Sequence, residues 1–385
     1  MNFAIVIVAY NRLFPLQRCL SSLNNAIYPN STDLIISIDK SDTNDIETFC
    51  ENISWYHGEL KVVRHEQNLG LKKHVLSVGD YLSEYEAIVV LEDDITVTPN
   101  FMFYVEQCYN KYKDDARIAG ISLYSFAINY QTRTPFEPVK ADYDVYMMNC
   151  AMSWGQVWMK KQWLLFASWY EKHSDEFDLV YLPTIINRWK SKSWLKYHTR
   201  YCIEENKYFV YPYYSLSTNN CDAGTHSDSK GNLFQTVLQY GTKYTFDLPS
   251  FDKCVIKYDG FFEPKFLARH LGLNEQDFCS NFYGQKHKSL FKKYMLSVKP
   301  YPYKVCKSWD LSYHPFEMNI LNNLQGFSIY LYNTTVEAAP ENHNRISYYN
   351  YFYGDSLNKL YSIIGVKQFL AYVVRHLIFR IRSKF

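Results

Sequence analysis

A chain of 385 residues exceeds one small domain, so two are expected, with length enough to bury a large core. Apolar residues make up 47% and charged residues 21%, which excludes a disordered or collagen-like chain. The net charge of +2 gives no bulk field for nucleic acid, and nine cysteines without CxxC or Cys/His metal spacing fit reduced thiols in a cytosol rather than a zinc site. Phe3 to Tyr10 is apolar but no basic residues precede it, and no run reaches about 18 apolar residues, so neither a signal peptide nor a membrane span is expected.

The first 125 residues alternate between two hydrophobic periods. Ala4–Val8, Leu34–Ile38, Leu60–Val63, Ala87–Leu91 and Ile118–Ile121 read as strands. The stretches Leu13–Ala26, Asp45–Ile53, Lys72–Leu82 and Pro99–Tyr112 read as helices between them. That alternation predicts an α/β fold, a mostly parallel Rossmann-like sheet flanked by helices, with ligands bound outside the carboxyl ends of the strands. Beyond residue 125 the pattern loosens. Gln131–Tyr143 reads as a loop, Trp154–Tyr170 as helix, Tyr208–Tyr211 as strand and Asn219–Asn232 as loop. After about residue 250 the chain is aromatic-rich, and its architecture is not legible.

Each N-terminal strand ends in polar residues. The first gives Ala9, Tyr10, Asn11 and Arg12, the second Asp39, the third His65 followed by Asn68-Leu69-Gly70 and Lys72, and the fourth Glu92-Asp93-Asp94. Three consecutive carboxylates at a strand end repel one another unless a cation sits there, and hard divalent ions such as Mn²⁺ or Mg²⁺ take carboxylate oxygens and bridge to phosphates. The plainer reading is a solvated acidic turn before the helix that follows Pro99. Asp39 suits a ribose or base edge, or simply an Asx-turn. Gly70 and Lys72 at a helix start suit a pyrophosphate, or solvent.

With these motifs in order, the sequence resembles the nucleotide-sugar half of a GT-A glycosyltransferase of family 2 type. The Glu-Asp-Asp form is also similar to the animal N-acetylglucosaminyltransferase that initiates complex N-glycans. Ala151-Met152-Ser153-Trp154-Gly155 and Ser215–Asn220 running to Gly224-Thr225-His226 resemble bacterial members, so the likeness spans roughly residues 3–230. The resemblance implies that Ala9 and Tyr10 flank a nucleotide base and that Asp39 binds the uracil or its ribose. Asn11, Arg12, Asn68, Gly70, Lys72 and Glu92 join the donor site, with Asp93 on the ribose or donor sugar. Asp94, and His226 with it, would hold the metal against the diphosphate. Trp154 and Gly155 would line the sugar pocket, although core packing explains Trp154 equally. An inverting transfer needs a carboxylate base. Bacterial relatives are expected to carry one near the Trp corresponding to Trp194, whereas Ser191–Lys196 here holds no acid. Asp178, Glu204, Glu205 and Asp222 remain as candidates.

The implied function is metal-dependent transfer of a hexose or N-acetylhexosamine from a UDP-sugar to a saccharide or lipid-linked saccharide hydroxyl, in bacterial surface polysaccharide synthesis. The rivals are a binding subunit that lacks its base and a sugar nucleotidyltransferase. The latter would want a glycine-rich first turn, which Ala9–Leu13 lacks. Residues 1–250 are expected to form the transferase domain, divided into 1–125 and 126–250, and 251–355 an accessory region. Residues 356–385 carry six Lys or Arg and no acid beside an apolar helical stripe. Such a helix suits an anionic membrane surface at the inner face of the plasma membrane, or docking on the protein's own core.

Overall fold

Seven consecutive apolar residues form β1 (Phe3–Ala9), and all seven are buried. Phe3, Ile5, Ile7 and Ala9 enter one apolar cluster, while Ala4, Val6 and Val8 enter a second on the other face of the sheet. A strand covered on both faces has no polar alternation to show, which is why this segment reads as an unbroken apolar run. The computed structural model describes residues 2–173, 177–220, 222, 234–241, 243–340, 351–352, 354, 365–367, 370–371 and 374.

Along the chain come α1 (Leu13–Asn24), β2 (Asp33–Ile38), α2 (Asp45–Cys50), β3 (Leu60–Arg64), α3 (Leu71–Ser77), β4 (Ala87–Glu92), β5 (Ile95–Val97), α4 (Phe101–Tyr112) and β6 (Ile118–Ser122). The five strands expected from the sequence all form. The helix expected over Lys72–Leu82 divides into α3 and a 3₁₀ segment, Val78–Ser83. Gly79 lies in the tighter part, where the Trp163 indole packs against its backbone and leaves no room for a side chain.

The second half adds a short pair, β7 (Ile128–Asn129) with β8 (Thr134–Pro135), then β9 (Val145–Met148), β10 (Gln156–Met159), α5 (Lys160–Lys172), α6 (Thr184–Arg188), α7 (Leu195–Glu204), β11 (Tyr208–Pro212), β12 (Ser217–Asn219) and β13 (Lys257–Tyr258). The large sheet runs β13-β9-β11-β6-β10-β4-β1-β2-β3. The pairs β1–β2, β1–β4, β2–β3, β6–β11 and β9–β13 are parallel. The helix expected over Trp154–Tyr170 is corrected here. Gln156–Met159 is a fully buried strand inserted antiparallel between β4 and β6, and helix begins only at Lys160.

The region left unread after residue 250 holds a four-stranded sheet, β14 (Phe278–Ser280), β15 (Tyr294–Ser297), β16 (Tyr303–Trp309) and β17 (Ile329–Glu337), in the order β14-β15-β17-β16. Leu296, Trp309 and Phe316 share an apolar cluster with Tyr146 and Tyr258 of the large sheet, so the two sheets are joined by one continuous core. Among the described residues no helix is long and apolar enough to cross a membrane.

Candidate active site

β2, β1 and β4 are parallel and in register, with Ala9 opposite Ile38 and Val8 opposite Glu92. Their carboxyl ends therefore bring Tyr10–Arg12, Asp39 and Glu92–Asp94 side by side, as the sequence leads one to expect. Tyr10 and Asn11 are exposed. Asp39 is buried, and its carboxylate is already in use. It accepts from the backbone N–H of Lys40 (3.0 Å), Leu69 (2.7 Å) and Gly70 (3.0 Å). Gly70 turns the chain into α3 with φ of 71°, a conformation that glycine adopts without steric cost. Asn68 closes the same loop by donating its side-chain amide to the Lys40 carbonyl at 2.8 Å. Lys72, at the start of α3, donates to the Tyr197 hydroxyl of α7 at 3.3 Å.

Asp93 and Asp94 are 3% and 6% exposed. Arg12 spans them. One end of its guanidinium donates to Asp94 Oδ2 at 3.0 Å and the other pairs with Asp93 Oδ1. Burial, opposed by Arg12, lifts the Asp93 carboxyl to about 6. Burial together with Asp94 and Asp93 pushes Glu92 well above the usual carboxylate range, while a hydrogen bond with Ser153 opposes the rise. Burial works against the charge of Arg12, but Asp93 and Asp94 outweigh it and raise the guanidinium above its ordinary value.

A second strand pair fixes this turn. β5 pairs antiparallel with β12, and Asn220, one residue beyond β12, doubly grips the Asp94 carbonyl through its backbone N–H (3.1 Å) and its side-chain amide (2.9 Å). That amide also reaches Thr96 Oγ1 at 2.7 Å. The segment then delivers Asp222 to Arg18 of α1, with which it forms an ion pair, and close enough to Asp93 for its charge to act there. Gly155, with φ of 95°, lies where a side-chain carbon would stand 3.0 Å from Ser217 Oγ. Ser217 Oγ donates instead to the Trp154 carbonyl at 2.6 Å. Trp154 is half-buried, edge-on to Tyr124 at 4.8 Å and beside Phe234.

The other base candidates lie elsewhere. Asp178 is exposed and bonds through its backbone to Asn187. Glu204 and Glu205 end α7 just before β11 begins, and β11 runs parallel to β4 across the intervening strands. They therefore occupy the sheet edge opposite the acidic turn. His226 and the Gly224-Thr225 before it lie outside the described residues. Arg18, Asn220 and Ser153 were not singled out as site residues from the sequence. Ser153 and Asn220 lie inside segments that carry the resemblance, but each meets the acidic turn only through a contact distant in sequence, and Arg18 joins the cluster through Asp222.

Two atoms in this cluster are buried without a hydrogen-bond partner: Asp94 Oδ1 and Arg18 Nε. An orphaned carboxylate oxygen fits a hard divalent cation, and an orphaned guanidinium N–H fits an anionic oxygen. Among the described residues no three His, Cys, Asp or Glu side chains converge as a metal cluster. Such an ion would thus depend on Asp94 and on oxygens brought by a ligand.

No curated protein matches the chain in sequence. Among solved structures it is similar to S. aureus TarS residues 1–349 in complex with UDP, at 13% identity and a TM-score of 0.38, over 56% of this chain and 60% of that one. The same TarS fragment in complex with UDP-GlcNAc aligns at 13% identity and a TM-score of 0.37, over 59% and 60%. GalNAc-T7 with UDP, GalNAc and Mn²⁺ aligns at 15% identity and 0.39, over 56% and 43%. The alignments thus span at most 60% of these chains. The model of the family described as "Glycosyl transferase family 2" matches residues 4–161, the segment that supplies β1, Arg12, Asp39 and the three carboxylates. Over residues 4–161, then, the chain is similar to the glycosyl transferase family 2 domain.

Proposed function

We propose that the chain transfers a hexose or N-acetylhexosamine from a UDP-sugar to a saccharide hydroxyl with inversion. The observation that carries this is the buried Asp93–Asp94 pair at the parallel sheet edge of a domain similar to family 2, with Asp94 Oδ1 left unpartnered among the described residues. In this reading Tyr10 and the loop closed by Asp39 bind the nucleoside. Arg12 and Arg18 present guanidinium donors to the diphosphate, a charge-assisted and bidentate recognition. Asp94 would hold Mn²⁺ or Mg²⁺, with His226 as a further ligand, and the ion would stabilise charge on the leaving diphosphate. Asp222, the one base candidate brought to the acidic cluster, deprotonates the acceptor hydroxyl. Trp154 offers an aromatic face to a pyranose.

The setting we infer is surface polysaccharide synthesis on a lipid-linked acceptor, with residues 1–250 as the transferase domain and 251–355 as an accessory region. The basic tail would hold the enzyme peripherally on anionic lipid. In support, Leu370 and Val374 of that stripe are exposed rather than docked on the core. The test is release of UDP from a panel of UDP-sugars with Mn²⁺ and a saccharide acceptor, beside thermal shifts with UDP. Nucleotide-induced stabilisation and UDP release are expected. Absence of both overturns the reading.

A further inference from the structure

Arg12 holds the position that a cation would be expected to take. Its guanidinium claims Asp94 Oδ2 and Asp93 Oδ1, which leaves Asp94 Oδ1 as a buried oxygen without a hydrogen-bond partner among the described residues, beside a fixed positive charge. The Arg12 side chain is 26% exposed while those of Asp93 and Asp94 are 5% and 9% exposed, so the arginine lies on the solvent side of the pair and can swing outward. Losing its proton is not a way out, because a guanidinium stays charged in proteins. The route left is an exchange of partners. A diphosphate is a suitable new partner, because its oxygens accept a guanidinium fork as well as a carboxylate does. Arg18 Nε, a buried donor without an acceptor in the same cluster, adds a second group waiting for an anionic oxygen.

We infer that Arg12 is a displaceable internal counter-ion that makes divalent-cation binding at Asp94 depend on an anionic nucleotide. The inference rests on the proposed function. Without nucleotide, Arg12 neutralises the pair and repels an incoming ion. With nucleotide, Arg12 transfers to the diphosphate, both Asp94 oxygens become available, and the ligand adds oxygens of its own. Linkage makes the effect reciprocal, so the ion tightens the nucleotide by the same factor.

The experiment is titration of the full chain with Mn²⁺ alone, followed by electron paramagnetic resonance of the free ion, with and without saturating UDP. In the unaltered protein UDP should tighten Mn²⁺ about tenfold or more. Arg12→Met should bind Mn²⁺ without nucleotide about tenfold more tightly than the unaltered protein, and the gain from UDP should shrink. Arg12→Lys keeps the charge but loses the fork, so it should fall between the two. It also carries the test if the methionine variant fails to fold. Unchanged or weaker nucleotide-free Mn²⁺ affinity in a folded variant overturns the inference. Mn²⁺ that binds equally in both proteins when UDP is present would leave the metal assignment standing in that case. Absence of Mn²⁺ binding in every variant, with UDP present, overturns the metal role of Asp94 and the inference with it.

Discussion

The two edges of the large sheet both carry buried carboxylates, and they treat them in opposite ways. At the amino-terminal edge of β11, Glu204 is shared among Arg200 Nε (2.6 Å), the Tyr181 hydroxyl (2.5 Å), Trp169 Nε1 (3.2 Å) and His173 Nε2 (3.5 Å). Nearby, Asp259 pairs with Lys286 at 2.6 Å, and Glu263 accepts from the N–H groups of Phe282 and Tyr283, both at 2.9 Å. At the carboxyl edge of β1 and β4, two of three consecutive acids share one arginine, and among the described residues Asp94 Oδ1 has no hydrogen-bond partner. A carboxylate with every lone pair engaged is a brace. One that is buried and left short of partners is destabilised until something binds. A cavity of about 350 Å³ opens between α7 and the carboxy-terminal sheet, lined by Asn206, Asp259, Lys265 and Lys286. It belongs to the braced edge.

The contrast breaks most sharply at Asp94. Asp94→Asn should abolish Mn²⁺-dependent nucleotide binding and lower transfer by about a thousandfold, because a neutral amide is a poor ligand for a hard ion and a poor partner for Arg12. A Mn²⁺ titration like that of the unaltered protein would end the distinction between the edges. Glu204→Ala should do the reverse. It removes the acceptor shared by Arg200, Tyr181 and Trp169 and should cost about 3 kcal/mol of stability in urea unfolding, with Mn²⁺ and UDP affinity intact. Loss of transfer without loss of stability would move Glu204 into the catalytic set.

His74 sharpens the comparison through pH. It is 2% exposed, bonded to Ser37 Oγ at 2.8 Å, with Asp39 and His65 the charged neighbours acting on it. Burial holds its imidazole down, to about 4. The unfolded chain therefore binds more protons between about pH 6.5 and pH 4, and stability rises with pH across that window. The contribution is complete above about pH 6.5 and is lost as pH falls toward 4, roughly 2 kcal/mol between pH 7 and pH 5. His74→Gln keeps a hydrogen-bonding group and does not titrate, so urea midpoints at the two pH values should lie closer together. His198, held low by burial in the same direction, leaves the variant part of its slope. An unchanged slope would show that His74 takes up a proton in the folded protein as readily as in the unfolded chain.

Much of the first 125 residues was legible because their strands are buried on both faces and their polar residues gather after them. β10 was not legible: its four residues run straight into α5, and their apolar spacing merges with the helical one. The carboxy-terminal sheet hid for a different reason. β16 alternates irregularly between buried and exposed positions, with register shifts against β17, so neither period emerges. In the site, the acids and Arg12 could each be named from their strand ends, but their mutual pairing could not. The grip of Asn220 on Asp94 joins residues 126 apart in sequence, through an antiparallel pair of three-residue strands. Among the four base candidates, sequence gave equal standing to Glu204 and Asp222, and only the sheet direction separates them.

The smallest effect expected is at Asp39, and it tests whether the proposed nucleoside and metal roles of the same edge are separable. Asp39 bridges the end of β2 to the turn before α3 through three backbone N–H groups. Asp39→Asn replaces one accepting oxygen with a donor, so either the N–H of Gly70 or those of Lys40 and Leu69 face an amide that cannot accept. The expected cost is about 1 kcal/mol of stability, because relaxation of the turn can return some of these groups to water. The displaced 68–70 turn should weaken UDP several-fold when measured in EDTA, since a site held slightly off its geometry loses affinity without losing any contacting group. Arg12, Asp93 and Asp94 do not hydrogen-bond to this turn, and the Mn²⁺ affinity of the nucleotide-free protein should stay as it was. If Asp39→Asn and Asp94→Asn change the Mn²⁺ titration alike, the edge acts as one unit and the division of roles within it fails.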